Sequence, residues 1–222
     1  MLKSTAVETA VGHVWFSSEP LADGPAVLLI HGAMRTTDEM QPVARRLRNC
    51  VFGHLPAHGV PALEGANLDL WSRAFATAAS AYFRGRPVVL AGESLGALVC
   101  LGMARFPVPG LLSVVAVEPP LSFSWPLEAA ALPAWLKDML RDDHRPLLAS
   151  SRIPVTVVAG DAPLHPPRPL ASTPSLLSDE DRQGVASLEV LAGGHQLMTE
   201  NPEGCAAIVR RHLAQYAGVQ AD

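Results

Sequence analysis

Short, mostly apolar runs alternate along this chain with longer stretches in which apolar positions recur every three or four residues. Ala26–Ile30 reads AVLLI, Leu111–Val117 reads LLSVVAV and Ile153–Ala159 reads IPVTVVA. Runs of this length, rich in β-branched residues, predict strands covered on both faces, as in a parallel sheet. Cys50–His54, Pro87–Ala91 and Ser187–Leu191 are further strand candidates. Helical spacing or composition predicts helices over Glu39–Arg48, Leu68–Phe83, Leu95–Arg105, Ala134–Arg141 and Pro202–Tyr216. Thr5–Ser17 alternates loosely around Gly12 and predicts an edge hairpin. Strand and helix alternate throughout, which predicts the α/β class with a mostly parallel central sheet flanked by helices.

The rhythm breaks in two places. Leu121–Ser151 is rich in tryptophan, leucine, proline and alanine and carries one predicted helix. It is too short for its own core, so we expect a single domain over residues 1–222 with a lid at 121–151. Gly160–Thr173 is proline-rich and predicts a loop.

Composition narrows the partners. An apolar content of 49% with 17% charged residues is that of a globular chain. A net charge of -4 gives no basic footprint for nucleic acid. The N-terminus lacks an apolar signal-peptide region, and no run is long enough for a membrane span, so a cytoplasmic protein without membrane contact is expected. Cys50, Cys100 and Cys205 are widely spaced and odd in number, giving neither a metal pattern nor a disulfide framework. No histidine pair has metal-site spacing, and no metal or cofactor is expected.

The candidate chemistry lies where a predicted strand meets a predicted helix. Gly92-Glu93-Ser94-Leu95-Gly96 matches G-x-S-x-G between the strand at Pro87–Ala91 and the helix at Leu95–Arg105. A serine on so tight a turn sits in strained backbone, and glycines two residues either side remove clashing side chains. Other polar residues fall at predicted strand ends: His31-Gly32, Glu118, Asp161, and His195 after Gly193-Gly194. In a parallel sheet, functional residues gather at the carboxyl ends of the strands. Ser94, then an acid, then His195 follow one another in the chain order of a nucleophile, its orienting acid and its base.

These pieces, with Pro56-Ala57-His58-Gly59, resemble the α/β-hydrolase superfamily over nearly the whole chain. The resemblance implies a serine hydrolase acting on a carboxylic ester or thioester, a small acyl substrate. Ser94 would be the nucleophile and His195 the base, with the amides of Leu95 and Ala33 as the oxyanion hole. Acyl transfer or perhydrolysis on the same triad, or ligand binding without turnover, are the alternatives. The acid stays open between two residues. Asp161 follows the penultimate predicted strand, the family's common place, but one residue early in its loop. Glu118 ends the strand before it, where a buried charge calls for a partner. Met34, Trp125 and Trp135, with Leu127, Leu136 and Met139, are candidates for an apolar substrate pocket under the lid.

Overall fold

The computed structural model describes residues 2–122, 132–162 and 174–217. An eight-stranded sheet runs in the order β1-β2-β4-β3-β5-β6-β7-β8. Its strands are β1 (Lys3–Thr9), β2 (Gly12–Ser18), β3 (Ala26–Ile30), β4 (Cys50–His54), β5 (Val88–Glu93), β6 (Leu111–Val117), β7 (Val155–Gly160) and β8 (Leu188–Leu191). Strands β3 to β8 are parallel, and β2 pairs antiparallel with both β1 and β4. The hairpin expected at the edge therefore puts only β1 there.

The AVLLI run shows why a central strand can be apolar at every position. Leu28 and Ile30 enter one core layer, while Val27 and Leu29 enter the other. Alternate residues of a strand point to opposite faces, so a strand covered on both sides has no polar face to spare. One layer is closed by α2 (Leu68–Phe83) and α3 (Leu95–Met103), which contribute Trp71, Phe75, Leu98 and Leu101. The other is closed by α1 (Gln41–Ala44) and α8 (Pro202–Ala217), with Val43, Cys205, Ile208 and Val209. The remaining helices are short: α4 (Ala134–Leu140), α5 (Pro146–Ala149), α6 (Asp179–Gln183) and α7 (Leu197–Glu200).

Helix α2 starts where Asn67 caps it, its side chain accepting the Leu70 N–H at 2.8 Å, and ends at Arg84 in the left-handed region. The helix expected over Glu39–Arg48 is shorter. Pro42 has no N–H to give an earlier turn, so a 3₁₀ turn at Thr37–Met40 leads into α1. After α1 the chain tightens into three-residue bonds, Arg46 N–H to Val43 and Leu47 N–H to Ala44.

The expected lid is only partly among the described residues. Its Ala134–Leu140 helix packs Leu136 and Met139 into the core, whereas Trp125 and Leu127 lie outside the described residues. Among the described residues no helix is long and apolar enough to cross a membrane.

Candidate active site

The chain leaves β3 for β4 on one side and returns for β5 on the other, so the order of the sheet switches direction between β3 and β5. Loops from adjacent strands diverge at such a point and leave a crevice beyond their carboxyl ends. The β3 loop (His31–Arg35) and the turn after β5 meet there.

Ser94 occupies that turn at φ 55° and ψ -120°, a conformation that L residues rarely adopt. Its N–H donates to Val117 at 2.9 Å, and its carbonyl accepts from Ala97 and Leu98 to begin α3. The flanking glycines are required by contact. A Cβ on Gly92 would lie 2.3 Å from the Gly96 carbonyl oxygen, and one on Gly96 would lie 2.3 Å from that of Ile30. Ser94 and His195 line one cleft of about 370 Å³, with Gly32, Ala33, Met34 and Arg35 on its β3 side. Met34 is 64% exposed there, and the Arg35 guanidinium pairs with Glu39.

The buried ring of His31 joins the β3 loop to the residues after β4. Its Nδ1 lies 2.8 Å from the Gly32 carbonyl oxygen, and its Nε2 accepts the Leu55 N–H at 3.2 Å. Desolvation pushes its pKa down to about 4, so the ring is neutral, with the proton on Nδ1. The Gly32 carbonyl and the Ala33 N–H share one planar peptide unit and point in opposite directions. Fixing the first therefore fixes the second. Among the described residues neither the Ala33 nor the Leu95 N–H meets a backbone acceptor outside regular structure.

The two candidate acids are in different surroundings. Glu118 is fully buried at the end of β6, with φ 48°, and its own N–H bonds Val158 of β7. One carboxylate oxygen accepts the Gly160 N–H and the Ser175 hydroxyl, both at 2.6 Å. The other accepts the Leu176 N–H at 2.9 Å and faces His195 Nδ1 at 3.3 Å. Arg182 supports this arrangement by donating to Ser175 Oγ and the Gly160 carbonyl, both at 2.8 Å. Asp161 is exposed and accepts the Gly193 N–H at 3.1 Å, closing the turn that leads to His195. Sequence alone did not single out Ser175, Leu176 or Arg182, because no local pattern marks them. The one available signal was the buried charge of Glu118 at a strand end.

Glu93 immediately precedes Ser94 and is almost fully buried. One oxygen accepts the Met198 N–H of α7 at 2.8 Å, and the other has no hydrogen-bond partner among the described residues. Desolvation is the largest influence and pushes its pKa up to about 6, against the opposing effects of the Met198 bond, His195 and Arg35. A raised carboxyl pKa favours the folded state below the ordinary value of 4.5, and that advantage is lost as pH rises through about 6. Glu93→Gln removes this dependence. Its stability relative to the parent should rise by about 2 kcal/mol between acidic and neutral pH. Urea unfolding at a series of pH values measures it, and a flat difference would show that Glu93 does not titrate in this range.

Trp135 does not line the Ser94 cleft. It lies on Trp71 with ring centroids 5.5 Å apart and meets the His58 ring edge-on at 6.1 Å, fastening α4 to the body. The described residues contain no cluster of three His, Cys, Asp or Glu able to hold a metal ion. Burial pushes the Cys50 thiol up to about 12 and raises Cys100 and Cys205 as well, so none of the three is a ready thiolate.

Among solved structures the chain is similar to E-2-(acetamidomethylene)succinate hydrolase, at a TM-score of 0.74 and 17% identity over 96% of this chain and 100% of that one. A haloalkane dehalogenase loop variant from Bradyrhizobium elkanii matches at 0.71 and 13% identity, over 100% of this chain and 99% of that one. The thioesterase domain of the curacin biosynthetic pathway matches at 0.67 and 18% identity, over 94% and 99%. No family model and no curated protein matches the sequence.

Proposed function

The chain has the α/β-hydrolase fold, and from that premise we propose that it is a serine hydrolase cleaving a small carboxylic ester or thioester through an acyl-enzyme on Ser94. The observation that carries the reading is the Glu118–His195 contact at 3.3 Å, on the rim of the cleft that holds Ser94 on its strained turn.

In this mechanism His195 Nε2 takes the Ser94 hydroxyl proton as Oγ attacks the carbonyl carbon. Glu118 accepts the Nδ1–H, which selects the tautomer with a free lone pair on Nε2 and stabilises the ring once it is cationic. The Ala33 and Leu95 N–H groups receive the negative charge on the carbonyl oxygen; each such donor lowers the barrier by about 3 kcal/mol. The tetrahedral adduct collapses, the C–O or C–S bond breaks, and His195 returns the proton to the leaving alcohol or thiol. Water, activated by the same ring, releases the acid and restores Ser94.

Glu118 is favoured as the acid over Asp161 by its burial and by donors fixed on both of its oxygens. Such a carboxylate cannot swing away from the ring. Met34 lies at the mouth of the cleft, where it would contact an acyl or leaving group. The chemistry implied for these residues needs no cofactor. Three free thiols, two of them fully buried, accord with a reducing cytoplasm.

Burst kinetics on p-nitrophenyl and thioester substrates test the reading. The parent should release about one equivalent of leaving group per chain before the steady state, and His195→Ala should lose the burst. A parent inert towards both series, or a His195→Ala variant with parental turnover, would contradict it.

A further inference from the structure

We propose that His58 is a positioning residue for this site: its neutral imidazole holds the Met34 amide and thereby fixes the loop that presents the Ala33 N–H to the substrate oxygen. This rests on the serine-hydrolase reading above and adds a residue to it.

The loop after β3 needs such a tie. Met34 stands at φ 60° with its side chain 64% exposed, so little packing holds it in an unfavourable conformation. Its N–H donates to His58 Nε2 at 2.9 Å. The other ring nitrogen, Nδ1, lies 2.8 Å from the Pro56 carbonyl oxygen, to which only an N–H can bond. The proton is therefore on Nδ1 and the lone pair on Nε2. The turn that carries the ring is built for this aim. The His58 N–H bonds the Leu55 carbonyl at 3.2 Å, and left-handed residues flank it, Ala57 at φ 63° and Gly59 at φ 75°.

The two histidines act on neighbouring peptide units. His31 holds the unit containing the Ala33 N–H, through the Gly32 carbonyl. His58 holds the next one, through the Met34 N–H, which shares its unit with the Ala33 carbonyl. With both units on either side of the Ala33 Cα pinned, the Ala33 N–H cannot rotate away without breaking one imidazole bond. The rings lie 5.4 Å apart, and the far side of His58 meets Trp135 of α4.

The tie is pH-sensitive in a defined direction. A second proton on His58 would occupy the lone pair that accepts Met34 N–H and turn the bond into a repulsion between two donors. The titratable and charged groups that act on the neighbouring His31 ring are His58, His54 and Arg35. His31 is neutral, burial lowers the His54 pKa, and Arg35 is paired with Glu39. The neutral form of His58 is the one the geometry uses.

Two variants and one spectroscopic measurement test the proposal. His58→Ala should lower kcat for a p-nitrophenyl ester by roughly 10–100-fold, with KM changed by no more than about threefold. His58→Gln offers a non-titrating oxygen in place of Nε2. It should recover most of the parental kcat and lose one ionisation from the acid limb of the pH profile. In the parent, a through-hydrogen-bond ¹⁵N–¹⁵N coupling should connect the Met34 amide to His58 Nε2 at neutral pH and vanish in acid. Parental kcat in both variants, a glutamine variant as slow as the alanine variant with an unaltered acid limb, or an absent coupling would each overturn the proposal. An inert parent with the coupling intact would instead overturn the acyl-enzyme reading, and with it the catalytic sense of the tie.

Discussion

Ser94→Ala lowers ester turnover by about 10⁴-fold or more and leaves the fold intact. The magnitude follows from removing the atom that forms the covalent bond; the activity left is what a polarising oxyanion site gives with water alone. The fold survives because Ser94 contributes to the structure through its backbone, bonding Val117, Ala97 and Leu98. Its side chain makes no capping bond to α3. The same geometry predicts a stability difference between two inactive replacements. At φ 55° and ψ -120° an alanine keeps the strain of the serine, whereas a glycine adopts this conformation freely. Ser94→Gly should therefore be more stable than Ser94→Ala by about 1–3 kcal/mol while being equally inactive. Thermal unfolding of the two variants measures the difference. Equal stabilities would mean that the turn stores no strain.

Glu118→Gln lowers kcat by about 10²–10⁴-fold, while Asp161→Asn stays within about threefold of the parent. Glutamine retains the shape of the side chain but can turn its amide nitrogen towards His195 Nδ1, favouring the tautomer that has no lone pair on Nε2. It also sets an NH₂ group against the Gly160 and Leu176 N–H donors or the Ser175 hydroxyl, since all three converge on the carboxylate. A loss of about 1–3 kcal/mol in stability should accompany the loss of activity. The kinetic comparison is therefore made well below the melting temperature of both variants. Asp161→Asn keeps an oxygen for the Gly193 N–H, so the turn before His195 survives. A large loss confined to Asp161→Asn would reverse the assignment. Small losses in both would remove the acid from the mechanism.

The parallel sheet was legible because burial on both faces leaves a plain mark, the unbroken apolar run at Ala26–Ile30 and the run at Leu111–Val117 interrupted only by Ser113, whose strands fall at those boundaries. The Ser94 turn was legible because both glycines it requires, Gly92 against the Gly96 carbonyl and Gly96 against the end of β3, stand two residues from the serine in the sequence. The choice of acid was not. The contacts that distinguish Glu118 come from Ser175, Leu176 and His195, between 57 and 77 positions away in the chain. No local pattern encodes them. The motif's offset at Asp161 showed only that its loop is unusual; the structure gives that residue a turn-closing bond. His58 stands in a turn, within the Pro56-Ala57-His58-Gly59 stretch that carries part of the resemblance. Its ring meets Met34 across 24 positions, because two adjacent parallel strands end side by side. The helix expected over Glu39–Arg48 shrank because Pro42 sets its start and short-range bonds close its end.

The central claim, that Ser94 is a nucleophile made reactive by His195, is tested most directly by intact-mass analysis after exposure to a fluorophosphonate, followed by peptide mapping. The account predicts one adduct per chain, located on Ser94, absent in Ser94→Ala and formed far more slowly in His195→Ala. A folded parent that takes up no adduct, or one that carries it on another residue, would contradict it.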